Sequence, residues 1–396
     1  MPEGKPRILV LSCNETPWGG SEELWARSAL RLVENGAYVR IAKPHIDPMV
    51  PALQALAKKD VTIADLARIG FLPYRLAALL RNVFRPASTI LQLLPLWWQI
   101  WRTKPHLVVL SQGGNWDGFH MGWLLNKLKI PYALICQKAT DLYWPPDFLR
   151  ARVTTLAIEA RHIFFVSHHN HRLFEEQIGA RLHHASVVRN PFLVDYAEPL
   201  PWPEDEGPTR LACVGRLYPM EKGQDMLLRV LAMPKWRERN LIVNLYGAGP
   251  NAEGLKAMAR YLECDNVVFK GHVDDVEAIW RDHHALVLPS RAEGLPLVLV
   301  EAMLTGRVAV VSTAGGSGEV VDDNITGFLM QGQDEAALDE ALERAWQARE
   351  RWQGIGADAA RAIRQQVPPD PAATLALHIL QLCDEMAGTQ GQPGKP

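Results

Sequence analysis

Short runs of apolar, largely β-branched residues alternate with amphipathic helical stretches along most of the chain, and the series occurs twice. The first series is Ile8–Leu11, Val39–Ala42, Leu107–Leu110, Tyr132–Cys136, His162–Val166 and Ser186–Val188. The second is Leu211–Val214, Ile242–Tyr246, Val267–Lys270, Ala285–Leu288 and Val308–Ser312. Strands joined through helices lie parallel, so each series predicts an α/β domain whose parallel sheet is covered by helices on both faces. Between the series, Pro199, Pro201, Pro203 and Pro208 stand with Glu204, Asp205 and Glu206, an aperiodic acidic stretch that reads as a linker. At 396 residues the chain suits two domains rather than one. The expected division is an N-terminal Rossmann-like domain over 1–198, a linker over 199–209 and a second Rossmann-like domain over 210–371. A last helix over 372–386 is expected to return to the first domain, and 387–396 to form a disordered tail. Open parallel sheets bind ligands beyond the carboxyl ends of their strands, so two facing sheets predict an interdomain cleft.

Composition narrows the class. With 48% hydrophobic and 22% charged residues the chain is globular. A formal charge of −2 argues against nucleic acid as a partner. Cys13, Cys136, Cys213, Cys264 and Cys383 form no C-x-x-C pair and read as reduced, buried thiols of a cytoplasmic protein. No run is apolar and long enough to cross a bilayer, and no signal peptide is expected before the first strand. One region is unusual: no Asp or Glu occurs from Leu66 to Trp116. It holds Arg68, Arg75, Arg81, Arg85, Arg102 and Lys104 beside Trp97, Trp98 and Trp101. Residues 66–104 therefore form a candidate peripheral attachment to an anionic, cytoplasmic membrane face, against the plainer reading of helices packed on a sheet with solvated arginines.

The segment PSRAEGLPLVLVEAM, residues 289–303, puts Glu293 in a loop behind a strand and Glu301 inside the helix that follows. Pro296 suits the first turn of that helix. Gly294 lets backbone N–H groups approach an anion at the positive end of the helix dipole. One carboxylate can meet a neighbour of that anion and the other a more distant hydroxyl, the arrangement a sugar diphosphate needs. The competing reading makes Leu295, Leu297, Val298, Val300 and Met303 plain core and Glu301 an exposed face residue. Arg216 and Lys222 follow the first strand of the same domain, where two cations could stabilise a departing diphosphate.

The ordered series VGRLYPMEKGQD, LYGAGP, VVFKGHV, LPSRAEGLPLVLVEAM and STAGGSGEVVDDNITGFL resembles the donor-domain signature of the family-4 retaining glycosyltransferases, which have the GT-B fold. PWGGSE, FFVSHHN and VVRNPFLVD match the first domain more loosely. The resemblance implies a sugar transferred with retention from a nucleotide-diphosphate sugar, with a UDP- or GDP-sugar expected. It further implies no cofactor and no metal, a hydroxyl-bearing glycan, lipid-linked or small-molecule acceptor, and a donor phosphate that receives the acceptor's proton. It places Arg216 and Lys222 on the diphosphate, Glu293 near the reacting carbon, and Glu301 on the ribose. Gly294, Leu295, Pro296 and Leu297 fall in the adjoining loop, Val273 at the base, and Gly19 and Gly20 at the N-terminal phosphate loop.

The acceptor half departs from the pattern. Where many relatives carry histidine, this chain has Ser111 and Gln112 in VLSQGGNW and Gln137 in ICQKATD, and the candidate acceptor residues are Gln112, Asn115, His120 and Gln137. Glutamine cannot serve as a base at pH 7. A catalytically silent sugar-nucleotide-binding or scaffold protein therefore stands as the alternative. GAGPNA, Gly247–Ala252, formally fits a dinucleotide fingerprint, but it follows the second strand of its domain and carries Pro250. Asp274–Asp275 and Asp322–Asp323 read as solvated turns rather than metal ligands.

Overall fold

The structure, a computed structural model, describes residues 5–15, 18–66, 88–204 and 207–390. Arg68, Arg75, Arg81 and Arg85 lie outside the described residues, as do Asp205, Glu206 and the last residues of the expected tail.

Two parallel sheets carry the molecule. The first contains β1 (Arg7–Ser12), β2 (Tyr38–Lys43), β3 (Thr62–Asp65), β4 (Leu107–Gln112), β5 (Tyr132–Cys136), β6 (His162–Phe165) and β7 (Ala185–Val187), in the order β3-β2-β1-β4-β5-β6-β7. The second contains β8 (Thr209–Val214), β9 (Leu241–Tyr246), β10 (Val267–Gly271), β11 (Ala285–Leu288), β12 (Val308–Ser312) and β13 (Phe328–Met330), in the order β10-β9-β8-β11-β12-β13. Two strands go beyond the sequence reading. TIAD at β3 and FLM at β13 are edge strands of four and three residues, too short to show a period of two.

Both sheets are doubly wound. The strand order reverses between β1 and β4 in one and between β8 and β11 in the other. Each sheet is buried on both faces, which is why β4, β5, β11 and β12 are near-continuous apolar runs instead of alternating, with Ser111, Gln112 and Ser312 only at the carboxyl ends. Ile8, Val10 and Ile135 pack with the helix Gly20–Glu34, while Leu9, Leu11 and Leu134 pack with the helices Ser88–Thr103, Phe119–Lys127 and Asp147–Glu159 on the opposite face.

The chain passes between the domains twice. On the first passage Phe192 and Val194 join the core of Leu286, Leu299 and Met303. Arg307, fully buried, fastens the linker by donating from Nη2 to Pro201 O at 2.6 Å and from Nε to Trp280 O at 2.7 Å. Burial pulls its pKa down to about 10. On the return, the helix Pro371–Gln390 runs past Ala387, where the sequence suggests a tail. It sets Leu375, Ala376 and Ile379 against Ile8, Val10 and Leu24 of the first domain. Leu375 and Ile379, withdrawn from water, each contribute about 1.5–3 kcal/mol to holding that helix on the first domain.

Candidate active site

In a doubly wound sheet, loops on either side of the strand-order reversal diverge and leave a crevice at the carboxyl ends. Here β8 ends at Val214 and leads into Arg216, while β11 ends at Leu288 and leads into Glu293. The short helix Pro219–Lys222 then brings Lys222 back across the crevice, where Nζ donates to Glu293 Oε1 at 2.6 Å. Ser290 Oγ donates to the same oxygen at 2.7 Å. Arg216 Nη2 donates to Glu221 Oε2 at 3.0 Å, and Lys138 Nζ, from the loop after β5 in the first domain, donates to Glu221 Oε1 at 2.6 Å. Three cations and two carboxylates thus share one small region between the sheets. Burial pushes the Glu221 carboxyl up, yet Lys138, Arg216 and Lys222 outweigh it and hold its pKa below the usual range.

Glu301 is not part of that cluster. It lies in the helix Leu297–Leu304, is 3% exposed, and accepts from Leu193 N at 3.0 Å, against the segment that crosses between domains. The exposed-face reading of Glu301 is therefore incorrect: the helix is covered on both sides. Burial pushes its pKa up to about 7, with the Leu193 N–H and Arg27 opposing. Val273 is half-buried against the Leu286 and Leu299 cluster.

The glycines show how closely the domains meet. A Cβ on Gly294 would come within 2.1 Å of Gln137 O, so the loop after β11 meets the backbone just beyond β5 with its own bare backbone. A Cβ on Gly20 would meet Leu297 Cδ1 at 2.9 Å, which puts the Gly19–Gly20 loop opposite the start of the Glu301 helix. Leu295 is buried in the second-domain core, and Pro296 caps the helix from an extended conformation.

On the first-domain wall, Gln112 Nε2 donates to Asp117 O at 2.6 Å and Asn115 Nδ2 to Gln177 Oε1 at 2.7 Å. Gln137 Oε1 accepts from Asn190 Nδ2 at 2.9 Å, and Gln137 N donates to Gln112 O at 3.4 Å. The buried Gln137 Nε2, Asn170 Oδ1 and Asn190 Oδ1 have no hydrogen-bond partner among the described residues. His120 sits edge-on to Phe119, and burial lowers its pKa against the pull of Asp117 and Glu15. The amides are thus gathered at the ends of β4 and β5, while His120 stands on the neighbouring helix.

Several residues of the cleft escaped the sequence reading. Lys138 and Glu221 are 83 positions apart. Glu319 accepts from His169 N at 2.5 Å and His168 N at 3.2 Å, so a second-domain carboxylate caps the start of the helix His168–Ile178 in the first. Glu22, nearly fully buried, accepts from Ser12 Oγ at 3.0 Å and Ser21 Oγ at 2.7 Å, with Lys43 Nζ at 3.7 Å. The acid that ends PWGGSE, two residues after Gly20, was the one available signal. Around the mouth, Leu142, Tyr143, Trp144 and Phe148 are exposed, and Tyr143 Oη lies 3.3 Å from Met220 Sδ.

The distracting motifs have structural accounts. A Cβ on Gly247 would meet Gly215 O at 2.0 Å and one on Gly249 would meet Leu217 O at 2.4 Å, so the GAGPNA glycines serve loop-on-loop packing. Asp275 caps the helix Val276–Asp282, and Asp323 pairs with Arg344 at 2.8 Å.

Residues 208–348 match the family described as Glycosyl transferases group 1. The chain is 37% identical over 179 residues to a D-inositol 3-phosphate glycosyltransferase of Streptomyces griseus, covering 42% of this chain and 37% of that relative. It is 34% identical over 144 residues to the GDP-mannose-dependent alpha-(1-6)-phosphatidylinositol monomannoside mannosyltransferase of Mycolicibacterium smegmatis, covering 33% of this chain and 37% of the relative. The chain thus spans under two fifths of the length of these curated relatives. Over nearly its whole length it shares the fold of Anabaena HepE, solved with UDP and glucose, with a TM-score of 0.73 at 17% identity, covering 95% of this chain and 99% of the other. Sucrose-phosphate synthase from Thermosynechococcus elongatus gives 0.72 at 16% identity, covering 97% and 100%. Residues 208–348, which supply the second of two parallel sheets, therefore match the group 1 glycosyl transferases, and the chain as a whole has the GT-B fold.

Proposed function

We propose that the protein transfers a sugar from a nucleotide-diphosphate sugar to a hydroxyl-bearing acceptor, with retention at the anomeric carbon and without a metal. The observation that carries this reading is the Arg216, Lys222, Glu221 and Glu293 cluster at the strand-order reversal, facing the Gly19–Gly20 loop and Gln137. An entering diphosphate offers Arg216 and Lys222 better partners than the carboxylates they now hold. As the bond from the anomeric carbon to the donor phosphate oxygen breaks, negative charge grows on that oxygen, and the two cations stabilise it. The acceptor oxygen forms the new bond to the same carbon, on the face the phosphate leaves, and its proton passes to the departing phosphate oxygen. Glu293, tied to Lys222 and Ser290, orients the donor sugar, and Glu301 holds the ribose hydroxyls.

The protonated phosphate makes a protein base unnecessary, which accommodates glutamines at 112 and 137. HepE is solved with UDP, and the relatives include a GDP-mannose-dependent mannosyltransferase and a D-inositol 3-phosphate glycosyltransferase, which supports UDP- or GDP-sugars as donors and inositol-phosphate, sugar or lipid-linked hydroxyls as acceptors. The cytoplasm, where nucleotide sugars are made, is the compartment that suits this chemistry and the free cysteines. The reading is tested by incubating the protein with UDP- and GDP-hexoses in EDTA and following nucleotide release and product anomer by NMR. Release with retained configuration supports it. Inverted product, or activity abolished by EDTA, contradicts the mechanism, and nucleotide binding without turnover leaves a sugar-nucleotide-binding protein instead.

A further inference from the structure

The helix Ser88–Thr103 is apolar on both sides. Leu93, Leu96 and Ile100 point into the core with Leu9, Leu11 and Leu110. Leu94, Trp97, Trp98 and Trp101 return at helical spacing on the opposite side and are 45–55% exposed. Core packing accounts for the first set and leaves the second unexplained. Trp98 and Trp101 stack with ring centroids 5.1 Å apart, forming one aromatic plate.

The neighbouring helix Phe119–Lys127 covers the same face of the sheet, since Leu125 joins the same core cluster. Its outward side adds Trp123 at 53% and Leu128 at 40% exposure. Arg102, Lys104, Lys127 and Lys129 are exposed in the same layer, and Arg102 lies over the Trp98 ring at 5.9 Å. Between Asp65 and Asp141, the chain has a single acid, Asp117. Contiguous apolar surface of this kind marks a contact site rather than ordinary scatter.

We infer that this two-helix layer is a docking surface for an anionic lipid bilayer. Tryptophan is an amphipathic ring that settles at the headgroup level, and flanking Lys and Arg meet the lipid phosphates without bringing acids with them. None of this depends on the proposed transfer reaction.

The test is sedimentation of the full chain with vesicles of phosphatidylcholine alone or mixed equally with phosphatidylglycerol, at low and high salt. A triple substitution Trp97→Ser, Trp98→Ser, Trp101→Ser tests the plate. A second variant, Arg102→Gln, Lys127→Gln, Lys129→Gln, tests the charge with the core untouched. Expected are binding to the mixed vesicles, its loss in high salt, and a drop of at least about tenfold in partitioning for each variant. Quenching of tryptophan fluorescence by brominated lipid in the wild type, reduced in the triple variant, is the matching depth signal. Equal binding to neutral vesicles, or variants that sediment like wild type, overturns the inference. So does absence of binding at low salt together with a dimer that the serine variant dissociates, because a second copy of the chain then covers the face.

Discussion

Lys138, just beyond β5 in one sheet, donates to Glu221, in the loop after β8 of the other, across 2.6 Å. This bond links the domains at the very point where Arg216 also reaches Glu221. The interdomain contact of Lys138 and the position of Arg216 are therefore coupled through a single carboxylate.

Lys138→Met leaves Glu221 with Arg216 but removes the interdomain bond. A hydrogen bond to a charged group contributes about 1.5–3 kcal/mol, reduced here because Lys138 is partly solvated. Urea unfolding is expected to show a loss of about 1 kcal/mol, and small-angle scattering a larger radius of gyration. An unchanged radius shows that the pair does not hold the domains together.

Gly294→Ala and Gly20→Ala separate two kinds of close approach. At 294 the new methyl meets a backbone carbonyl that cannot move without shifting β5. At 20 it meets the tip of Leu297, which has rotamer freedom. Transfer activity is expected to fall at least about a hundredfold in the first and less than about tenfold in the second, because misplacement of about 1 Å can cost that much. Equal effects on kcat/KM contradict this geometry.

Glu301 makes stability depend on pH in an uncommon direction. Burial raises its folded pKa from 4.5 to about 7. Between those values the folded carboxyl keeps a proton the unfolded chain has released, so its contribution to stability is full below about 4.5, falls as pH rises, and is gone above about 7. The span corresponds to a change on the order of 3 kcal/mol. Glu301→Gln, read by thermal unfolding across pH, is expected to remove that fall and to raise the melting temperature at pH 8. A wild-type slope in the variant shows that the carboxyl is not protonated in the folded state.

Local patterns revealed most of the architecture, because apolar runs and amphipathic helices are written in neighbouring residues. Val109, Ile135, Leu286 and Val310 belong to runs whose burial needs no tertiary knowledge. β3 and β13 exist by pairing with strands already in place, so no local signal announces them. The Lys222–Glu293 pair was reachable because both residues sit in loops that follow recognisable strands. Lys138, Glu319 and Glu22 were not, since their partners are set by how two domains and distant loops meet. Glu301 looked ambiguous for a related reason: its helix has an outer face in sequence, and the crossing segment at Leu193 covers it.

The central claim is that Arg216 and Lys222 hold a nucleotide diphosphate between the domains. Calorimetric titration of UDP and GDP into wild type, Arg216→Ala and Lys222→Ala tests it most directly. The account predicts one saturable site for at least one nucleotide, weakened at least about tenfold by each substitution, as expected for loss of a charge-assisted contact to phosphate. Binding of equal strength in all three proteins, or no binding of either nucleotide to wild type, contradicts it.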